Sequence, residues 1–238
     1  MIAMFTDFGS EGPYLGQMEA VLRINAPSEP VINLLSNAPV ENVLSSAHLL
    51  AALSQNFPAD TVFLTVVDPG VGGERQPIVL RADGRWFVGP DNGLLNSVAL
   101  HADVVHWWII EWRPEKLSCS FHGRDLFAPV AARISQKDYS GLSLWDGPDL
   151  SGWPADIASI IYIDHYGNAL TGWRYNKELD GQIIHLNGQV IHQAETFCDV
   201  PEGEPFWYEN SCGLVEIAVN KGRASELFNL KVGVGVRF

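Results

Sequence analysis

Three features are scarce in this 238-residue chain: cysteine, basic side chains and long apolar runs. The three cysteines, Cys119, Cys198 and Cys212, are too few and too scattered for a disulfide framework or a zinc ribbon. Only 15 Lys and Arg residues stand against 28 Asp and Glu residues, which gives a formal net charge of −13. Because binding to nucleic acid takes clustered Lys and Arg, this composition argues against a nucleic-acid partner.

No segment approaches the ~18 uncharged apolar residues that a transmembrane helix needs, so we expect no membrane partner. The opening residues, MIAMFTD, lack a basic segment and a long apolar stretch, and they do not predict a signal peptide. A cytoplasmic location is the resulting expectation. With 47% hydrophobic and 18% charged residues, the composition is typical of a globular protein and not of a disordered one.

Several common catalytic motifs are also missing. The sequence has no GxxxxGK[ST] phosphate loop, no GxGxxG after a strand, no GxSxG nucleophile turn and no HExxH zinc motif. The histidines outside the motifs described below show no metal-ligand spacing. We therefore expect no metal site.

The order of periodic segments predicts an α/β domain in the first part of the chain. Strand-like runs at 2–5, 31–35 and 61–67 alternate with helical patterns at 12–25 and 42–55. A hairpin around Asp83-Gly84, an apolar strand at 103–112 and a helix at 126–135 follow. Such alternation predicts an α/β sandwich-type domain with a mostly parallel sheet.

The pattern changes after residue 140. Glycine and proline punctuate 138–155, and beyond them short β runs occur at 160–163, 182–186, 189–191, 214–219 and 232–236. Turn residues separate these runs, as in a small barrel or sandwich. The predicted organisation is an N-terminal domain over 1–140, a linker over 141–157 and a C-terminal all-β domain over 158–238.

Short polar motifs beside glycine mark the candidate site. They are TDFG from Thr6, DPGVG from Asp68, PDNG from Pro90, FHGRD from Phe121, IDHYGN from Ile163 and NSCG from Asn210. Glycine supplies positive φ in tight turns and lets a ligand approach the backbone, and such turns often present reactive side chains. Asp7 and Asp68 both follow strands, and ligands bind at the carboxyl ends of strands in α/β sheets, so these two should be neighbours.

Asp68, Arg75 and His122 together could hold and polarise one water molecule. In that interpretation the carboxylate fixes the imidazole tautomer, and the guanidinium stabilises partial negative charge on the oxygen. The structural alternative is that Asp68 caps the glycine turn, Arg75 pairs with a surface acid and His122 is a loop histidine.

For other polar residues, too, the sequence allows either a ligand-binding role or a role in forming a turn. Asp7 could accept hydrogen bonds from a ribose diol or cap a turn. Asp164 could pair with an ammonium group and Asn168 could bind an adenine edge, or both could form Asx turns. Asn92 is either a turn former or a ligand contact, and it is kept as a substrate-binding candidate.

In their order, these motifs resemble the S-adenosyl-L-methionine (SAM) hydroxide adenosyltransferase family, which is related to the SAM-dependent fluorinase and chlorinase. The resemblance extends from Thr6 to Asn220. It implies an N-terminal α/β domain, a C-terminal β-barrel, and a homotrimer with its site between one subunit's N-terminal domain and its neighbour's C-terminal domain. The implied reaction is hydrolysis of SAM to adenosine and L-methionine, with SAM as substrate and no cofactor.

The resemblance also implies a role for individual residues. Asp68, Arg75 and His122 match a triad that activates water for attack on ribose C5′. The matched substrate-binding residues are Asp7 at the ribose diol, Asp164 at the methionine ammonium, Asn168, Tyr166 and Phe197 at the adenine, and Ser211 at the amino-acid end.

Three positions differ from the halogenases. Those enzymes have an aromatic residue in place of Asp68 and a serine in place of Gly123, and a carboxylate would repel a halide ion, so water fits this chain better. They also have an arginine for the methionine carboxylate in place of Cys212. The prediction is therefore a SAM hydrolase, and the alternatives are a SAM-dependent halogenase and a SAM- or adenosine-binding protein without turnover.

Overall fold

The computed structural model describes residues 1–238, which form two compact units. The N-terminal unit comprises Met1–Ala51 and Phe57–Trp153, and the C-terminal unit comprises Ala52–Asn56 and Pro154–Phe238. None of the helices combines the length and the apolar character that crossing a membrane would require.

A seven-stranded mixed sheet organises the N-terminal unit, in the order β2-β1-β3-β5-β4-β6-β7. The elements up to residue 145 are β1 (Ile2–Thr6), α1 (Tyr14–Asn25), β2 (Val31–Leu35), α2 (Val43–Ser54), β3 (Val62–Val66), β4 (Pro77–Ala82), β5 (Arg85–Pro90), α3 (Asn96–Leu100), β6 (Val105–Ile110), a π-helical turn (Gly123–Phe127), α4 (Ala128–Ser135) and β7 (Leu142–Trp145). The α/β class is confirmed.

The mostly parallel sheet is not confirmed. Strands β2, β1, β3 and β5 pair in parallel, whereas β5–β4, β4–β6 and β6–β7 are antiparallel. The predicted hairpin explains part of this difference. Asp83 and Gly84 both have positive φ, 46° and 82°, which matches the twist of a two-residue hairpin turn and forces β4 and β5 to run antiparallel.

Both faces of the central strands are buried. On one face, Met4 and Leu64 pack in a core with Met18 of α1 and Ala131 of α4. The alternate residues of the same strands, such as Phe63, are also fully buried. This burial accounts for the continuous apolar run at 61–67.

One strand lies where the sequence predicted linker. Leu142–Trp145 forms β7 and pairs with β6, with Trp145 opposite Trp107. The surrounding glycine and proline residues indicate loop, and four residues carry too little periodicity to outweigh them. The ladder with β6, which lies more than 30 residues earlier in the chain, supplies the stabilisation.

The C-terminal unit contains a six-stranded sheet in the order β10-β11-β12-β13-β9-β8. Its elements are β8 (Ile157–Ile163), β9 (Ala169–Arg174), a 3₁₀ turn (Lys177–Leu179), β10 (Ile184–Leu186), β11 (Gln189–Gln193), a second 3₁₀ turn (Phe197–Asp199), β12 (Pro205–Glu209), β13 (Leu214–Val219) and α5 (Ala224–Leu227). Its core contains Trp207, Ile217 and Phe228.

A closed small barrel is not confirmed in this unit. The hydrogen-bonded ladder ends at β10 on one side and at β8 on the other. The predicted strand at 232–236 is not formed. Instead, Gly235 and Arg237 make single bridges to Ser159 of β8 and His185 of β10, the two edge strands.

Candidate active site

Asp68 and Arg75 lie on either side of the glycine-rich turn that follows β3, and their side chains meet. Nε of Arg75 donates to both carboxylate oxygens of Asp68, at 2.9 and 3.0 Å, and Nη2 donates to Oδ2 as well. The side chain of Arg75 is only 10% exposed and that of Asp68 only 4%. A buried pair with several hydrogen bonds holds both groups in a single geometry.

His122 completes this cluster through Arg75. Nη2 of Arg75 lies 3.0 Å from Nδ1 of His122. Because a guanidinium can only donate, Nδ1 accepts, and the neutral ring must carry its proton on Nε2. From the sequence, Asp68 is the residue expected to fix the tautomer, whereas in the structure Arg75 is the donor that does so, and it contacts both Asp68 and His122.

The protonation of His122 follows from the same surroundings. Burial, and then the positive charge of Arg75, lower the pKa of His122 below its ordinary value of 6.5. The nearby Asp68 acts in the opposite direction but does not reverse the shift. The ring is therefore neutral at pH 7 and presents an N–H group at Nε2.

The backbone that carries these groups is closely packed. Gly72, in the turn between Asp68 and Arg75, has a φ of 81°, and a Cβ there would lie 2.5 Å from the carbonyl oxygen of Cys119. The turn thus rests directly on the segment that leads to His122. The π-helical turn begins one residue after His122, and π turns occur frequently at functional sites.

A cavity of about 510 Å³ opens beside the cluster, and Asp7, Asp68 and His122 all line it. Asp7 follows β1, and its Oδ2 accepts a hydrogen bond from the backbone N–H of Glu41 at 3.3 Å. Burial raises the pKa of Asp7, and the hydrogen bond from Glu41 opposes that rise. Asp7 and Asp68 are thus neighbours at one end of the sheet, as their positions after β1 and β3 predict.

Three aromatic residues of this cavity were missed in the sequence. Phe8, Tyr14 and Phe121 line it together, and their ring centroids lie 5.4–5.8 Å apart. Phe8 and Phe121 belong to the motifs TDFG and FHGRD. Their place in these motifs could have identified them as candidates for the cavity wall. The sequence does not show, however, in which direction an aromatic side chain in a loop points.

Asn92 has a different environment. Its Nδ2 donates to the carbonyl oxygen of Val67 at 2.9 Å, and its Oδ1 accepts from the backbone N–H of Leu94 at 3.2 Å. Backbone groups occupy both ends of the amide. These contacts are those of a turn former, the first of the two interpretations given for Asn92.

A second cavity, of about 700 Å³, lies in the C-terminal unit. Five of the sequence-predicted residues line it, namely Asp164, Tyr166, Asn168, Phe197 and Ser211. Tyr166 is 72% exposed and therefore open to a ligand. Phe197 packs edge-on against Phe206 with a centroid distance of 4.9 Å.

A buried carboxylate in this cavity was also missed. Glu216 of β13 is 5% exposed, and it accepts hydrogen bonds from Tyr208 Oη at 2.7 Å and Asn210 Nδ2 at 2.8 Å. Burial raises the pKa of Glu216, and the hydrogen bonds oppose that rise. In the sequence, Glu216 is a single acidic residue within the apolar run 214–219. That position could have indicated a functional or structural role, because a charge in a fully buried strand needs hydrogen-bond partners.

The family models for the SAM hydroxide adenosyltransferase N-terminal and C-terminal domains match residues 2–141 and 158–237. This chain belongs to the SAM hydroxide adenosyltransferase family. The family resemblance that the motifs carry is therefore confirmed.

Individual proteins agree with the family assignment. An (R)-S-adenosyl-L-methionine hydrolase from Thermus thermophilus is 33% identical, over 99% of this chain and 98% of that protein. A fluorinase from Actinopolyspora mzabensis is 24% identical, over 100% of this chain and 96% of that protein. The crystal structure of an uncharacterized conserved protein from Thermotoga maritima has a TM-score of 0.91 and 31% identity, over 100% of this chain and 99% of that one.

Proposed function

We propose that this chain hydrolyses SAM to adenosine and L-methionine. The cluster of Asp68, Arg75 and His122 beside a cavity is the observation that carries the proposal, since it offers donors for a water nucleophile. The similar protein from Thermus thermophilus is named for the (R) form of SAM, so we expect that form to be a substrate here.

In the proposed reaction, a water oxygen attacks ribose C5′ in line with the departing sulfur. The C5′–O bond forms, the C5′–S bond breaks with its electron pair going to sulfur, and one proton passes to solvent. The leaving group is a neutral thioether, so it needs no general acid. As the attacking water gives up its proton, its oxygen gains negative character that partly neutralises the charge of the sulfonium, which favours a site with little water.

The cluster geometry suggests a task for each member. His122 lines the cavity, and its Nε2–H is a donor suited to an oxygen that bears partial negative charge. Arg75 does not line the cavity and acts by fixing the tautomer of His122. Asp68 holds the guanidinium in place through its hydrogen bonds. His122 therefore acts through its N–H group, because Arg75 already occupies the lone pair of Nδ1.

The substrate-binding assignments remain part of the proposal. Asp7 is assigned to the ribose diol, Asp164 to the methionine ammonium, Asn168 to the adenine edge and Ser211 to the amino-acid end. Tyr166 and Phe197 are assigned to the adenine faces. No cofactor takes part in the reaction.

The test separates the (R) and (S) sulfonium forms of SAM and incubates each with the protein in ¹⁸O-labelled water, with and without chloride. Equal amounts of methionine and adenosine, with the label on the 5′-oxygen and loss of product in His122→Ala, would support water attack at C5′. Unlabelled adenosine would contradict it. Formation of 5′-chloro-5′-deoxyadenosine would identify a halogenase, and saturable binding without product would identify a binding protein.

The homotrimer is a separate proposal, based on the family resemblance. Light scattering on the purified protein tests it directly. A mass three times the 26.2 kDa of the chain is expected, and a monomer would contradict it.

A further inference from the structure

The turn between β12 and β13 is built around Asn210, which is 8% exposed. Its Oδ1 accepts from the backbone N–H groups of Cys212 and Leu214, at 2.9 and 3.0 Å. Its own backbone N–H donates to the carbonyl oxygen of Leu214 at 2.8 Å, and its carbonyl oxygen accepts from the N–H of Gly213 at 2.9 Å. A buried side chain with this many backbone partners fixes the path of the chain through the turn.

A buried carboxylate anchors the other arm of the same amide. Nδ2 of Asn210 donates to Oε2 of Glu216 at 2.8 Å, and Glu216 is 5% exposed. The Oε1 of Glu216 accepts from Oη of Tyr208, which lies opposite it in the pairing of β12 with β13. With backbone donors at Oδ1 and a carboxylate at Nδ2, the amide has a single orientation that satisfies both arms. Loss of the carboxylate would leave a buried donor without its partner.

Ser211 follows Asn210 directly but differs from it in exposure. It is exposed and lines the C-terminal cavity. The backbone N–H groups of the next three residues, Cys212, Gly213 and Leu214, are used within the turn and so are not available to a ligand. The hydroxyl of Ser211 remains as a side-chain donor at this edge of the cavity, and its position depends on the conformation of the turn.

We propose that Asn210, anchored by Glu216, is a positioning residue that holds Ser211 against the amino-acid end of the substrate. The inference rests on the proposed function, which assigns Ser211 to that end. Asn210 and Glu216 act through the conformation of the turn and are not assigned a contact with substrate. Binding of the amino-acid end should therefore depend on Asn210, whereas binding of the adenosine portion should not.

Two ligands that share a nucleoside test the inference without relying on turnover. Sinefungin has the adenosine and amino-acid groups of SAM joined through carbon in place of sulfur, so it lacks the leaving group, and adenosine lacks the amino-acid end. In Asn210→Ala, sinefungin affinity should fall about tenfold, the effect of losing a hydrogen bond to a charged group, while adenosine affinity stays within about twofold of wild type. Calorimetry on the full-length protein measures both affinities.

Substitutions of Glu216 test the anchor. Glu216→Leu removes the acceptor for Nδ2 of Asn210 and should weaken sinefungin binding as Asn210→Ala does. Glu216→Gln should retain sinefungin affinity, because its amide oxygen can still accept from Asn210. Tyr208→Phe is the matched control, since it removes the other hydrogen bond to Glu216 and leaves the turn intact, and it should not change sinefungin affinity.

A double variant tests whether Asn210 acts through Ser211. Ser211→Ala alone should also lower sinefungin affinity about tenfold. If the two residues act as a unit, Asn210→Ala combined with Ser211→Ala should lose no more than either single variant, because their effects are then not additive.

If Asn210→Ala does not fold, the nearly isosteric Asn210→Asp takes its place. It keeps an oxygen that can accept from the N–H groups of Cys212 and Leu214 and replaces only the donor to Glu216 by an acceptor. The same selective loss of sinefungin affinity is expected.

Equal weakening of sinefungin and adenosine in the Asn210 variants would overturn the inference, as would unchanged sinefungin affinity in Glu216→Leu or an additive loss of about a hundredfold in the double variant. Absence of SAM hydrolysis together with the selective loss in Asn210→Ala would contradict the proposed function alone. Hydrolysis of SAM with unchanged sinefungin affinity in Asn210→Ala would contradict this inference alone.

Discussion

The two cavities of this protein are built from different kinds of groups. In the N-terminal unit, loops after parallel strands bring together a carboxylate, a guanidinium and an imidazole. In the C-terminal unit, amides and a phenol surround one buried carboxylate on an antiparallel strand pair. Opposed full charges can polarise a water molecule, whereas oriented amides distinguish donors from acceptors. The difference indicates that the first cavity is suited to chemistry and the second to recognition.

The largest expected effect tests this contrast directly. Asp68→Asn removes the charge that holds Arg75, so we expect SAM turnover to fall ~10²–10⁴-fold. Adenosine affinity should fall much less than turnover, because that variant keeps Asp7, which is assigned to the ribose diol, and leaves the C-terminal cavity intact. Kinetics and calorimetry on the same sample provide the measurement.

Asp156→Asn is the control for that variant. Asp156 pairs with Arg174 in the C-terminal unit at 3.1 Å and is partly exposed, so its loss should leave turnover within a few-fold of wild type. Equal losses of turnover and of adenosine affinity in Asp68→Asn would remove the functional distinction between the two cavities.

Two glycine substitutions test whether the turn after β3 holds Asp68 and Arg75 in place for the reaction. Gly72→Ala places a Cβ 2.5 Å from a backbone oxygen at a φ of 81°, so we expect a loss of about 1–3 kcal/mol in unfolding free energy and a marked loss of turnover. Gly70→Ala, in the same turn, meets no atom within 4 Å and should be nearly neutral. Denaturant unfolding and initial rates measure both, and identical behaviour of the two variants would be inconsistent with this account.

Two tyrosine substitutions test how much the hydrogen bond to the buried carboxylate of Glu216 contributes to stability. Tyr208→Phe removes a donor to Glu216, and we expect a loss of about 1–2 kcal/mol in unfolding free energy because a buried acceptor loses its partner. Tyr175→Phe removes the exposed hydroxyl that contacts Asp180, and it should produce no measurable change. The comparison would fail if the second substitution cost as much as the first.

The smallest expected effect concerns pH, and here the two cavities should differ in sign. His122 has a pKa lowered from 6.5, so its stabilising contribution is present above that pH and is lost as pH falls through the native pKa. Glu216 has a pKa raised from 4.5, so its contribution is present below that pH and is lost as pH rises through the native pKa. Unfolding free energies measured across pH for wild type, His122→Asn and Glu216→Gln should show opposite differences from wild type.

Much of the site could be predicted because its residues stand in local motifs. Asp68, Arg75 and His122 each lie in or beside a glycine turn. Glycine can be read directly from the sequence, and it marks positions where the backbone makes a tight turn. Asn92 stands in an equally distinctive motif, yet its amide is bonded at both ends to backbone. A motif reveals where a turn occurs but not which of its polar groups remain available.

Glu216 and β7 represent what could not be predicted. Glu216 is a single acid in an apolar run, and its partners Tyr208 and Asn210 are brought to it by the pairing of β12 with β13. β7 is only four residues long and is defined by its ladder with β6. Both depend on contacts between residues that the sequence alone does not pair.

By itself, the sequence determined the α/β class, the family and the polar motifs, because these depend on local periodicity, turn residues and their order. Only the tertiary structure decided that Arg75 stands between Asp68 and His122, so that the imidazole proton lies on Nε2. It alone also decided that the carboxylate of Asp164 accepts a hydrogen bond from Nδ2 of Asn168. The direction of a hydrogen bond depends on which groups face each other in space, and chain order does not carry that information.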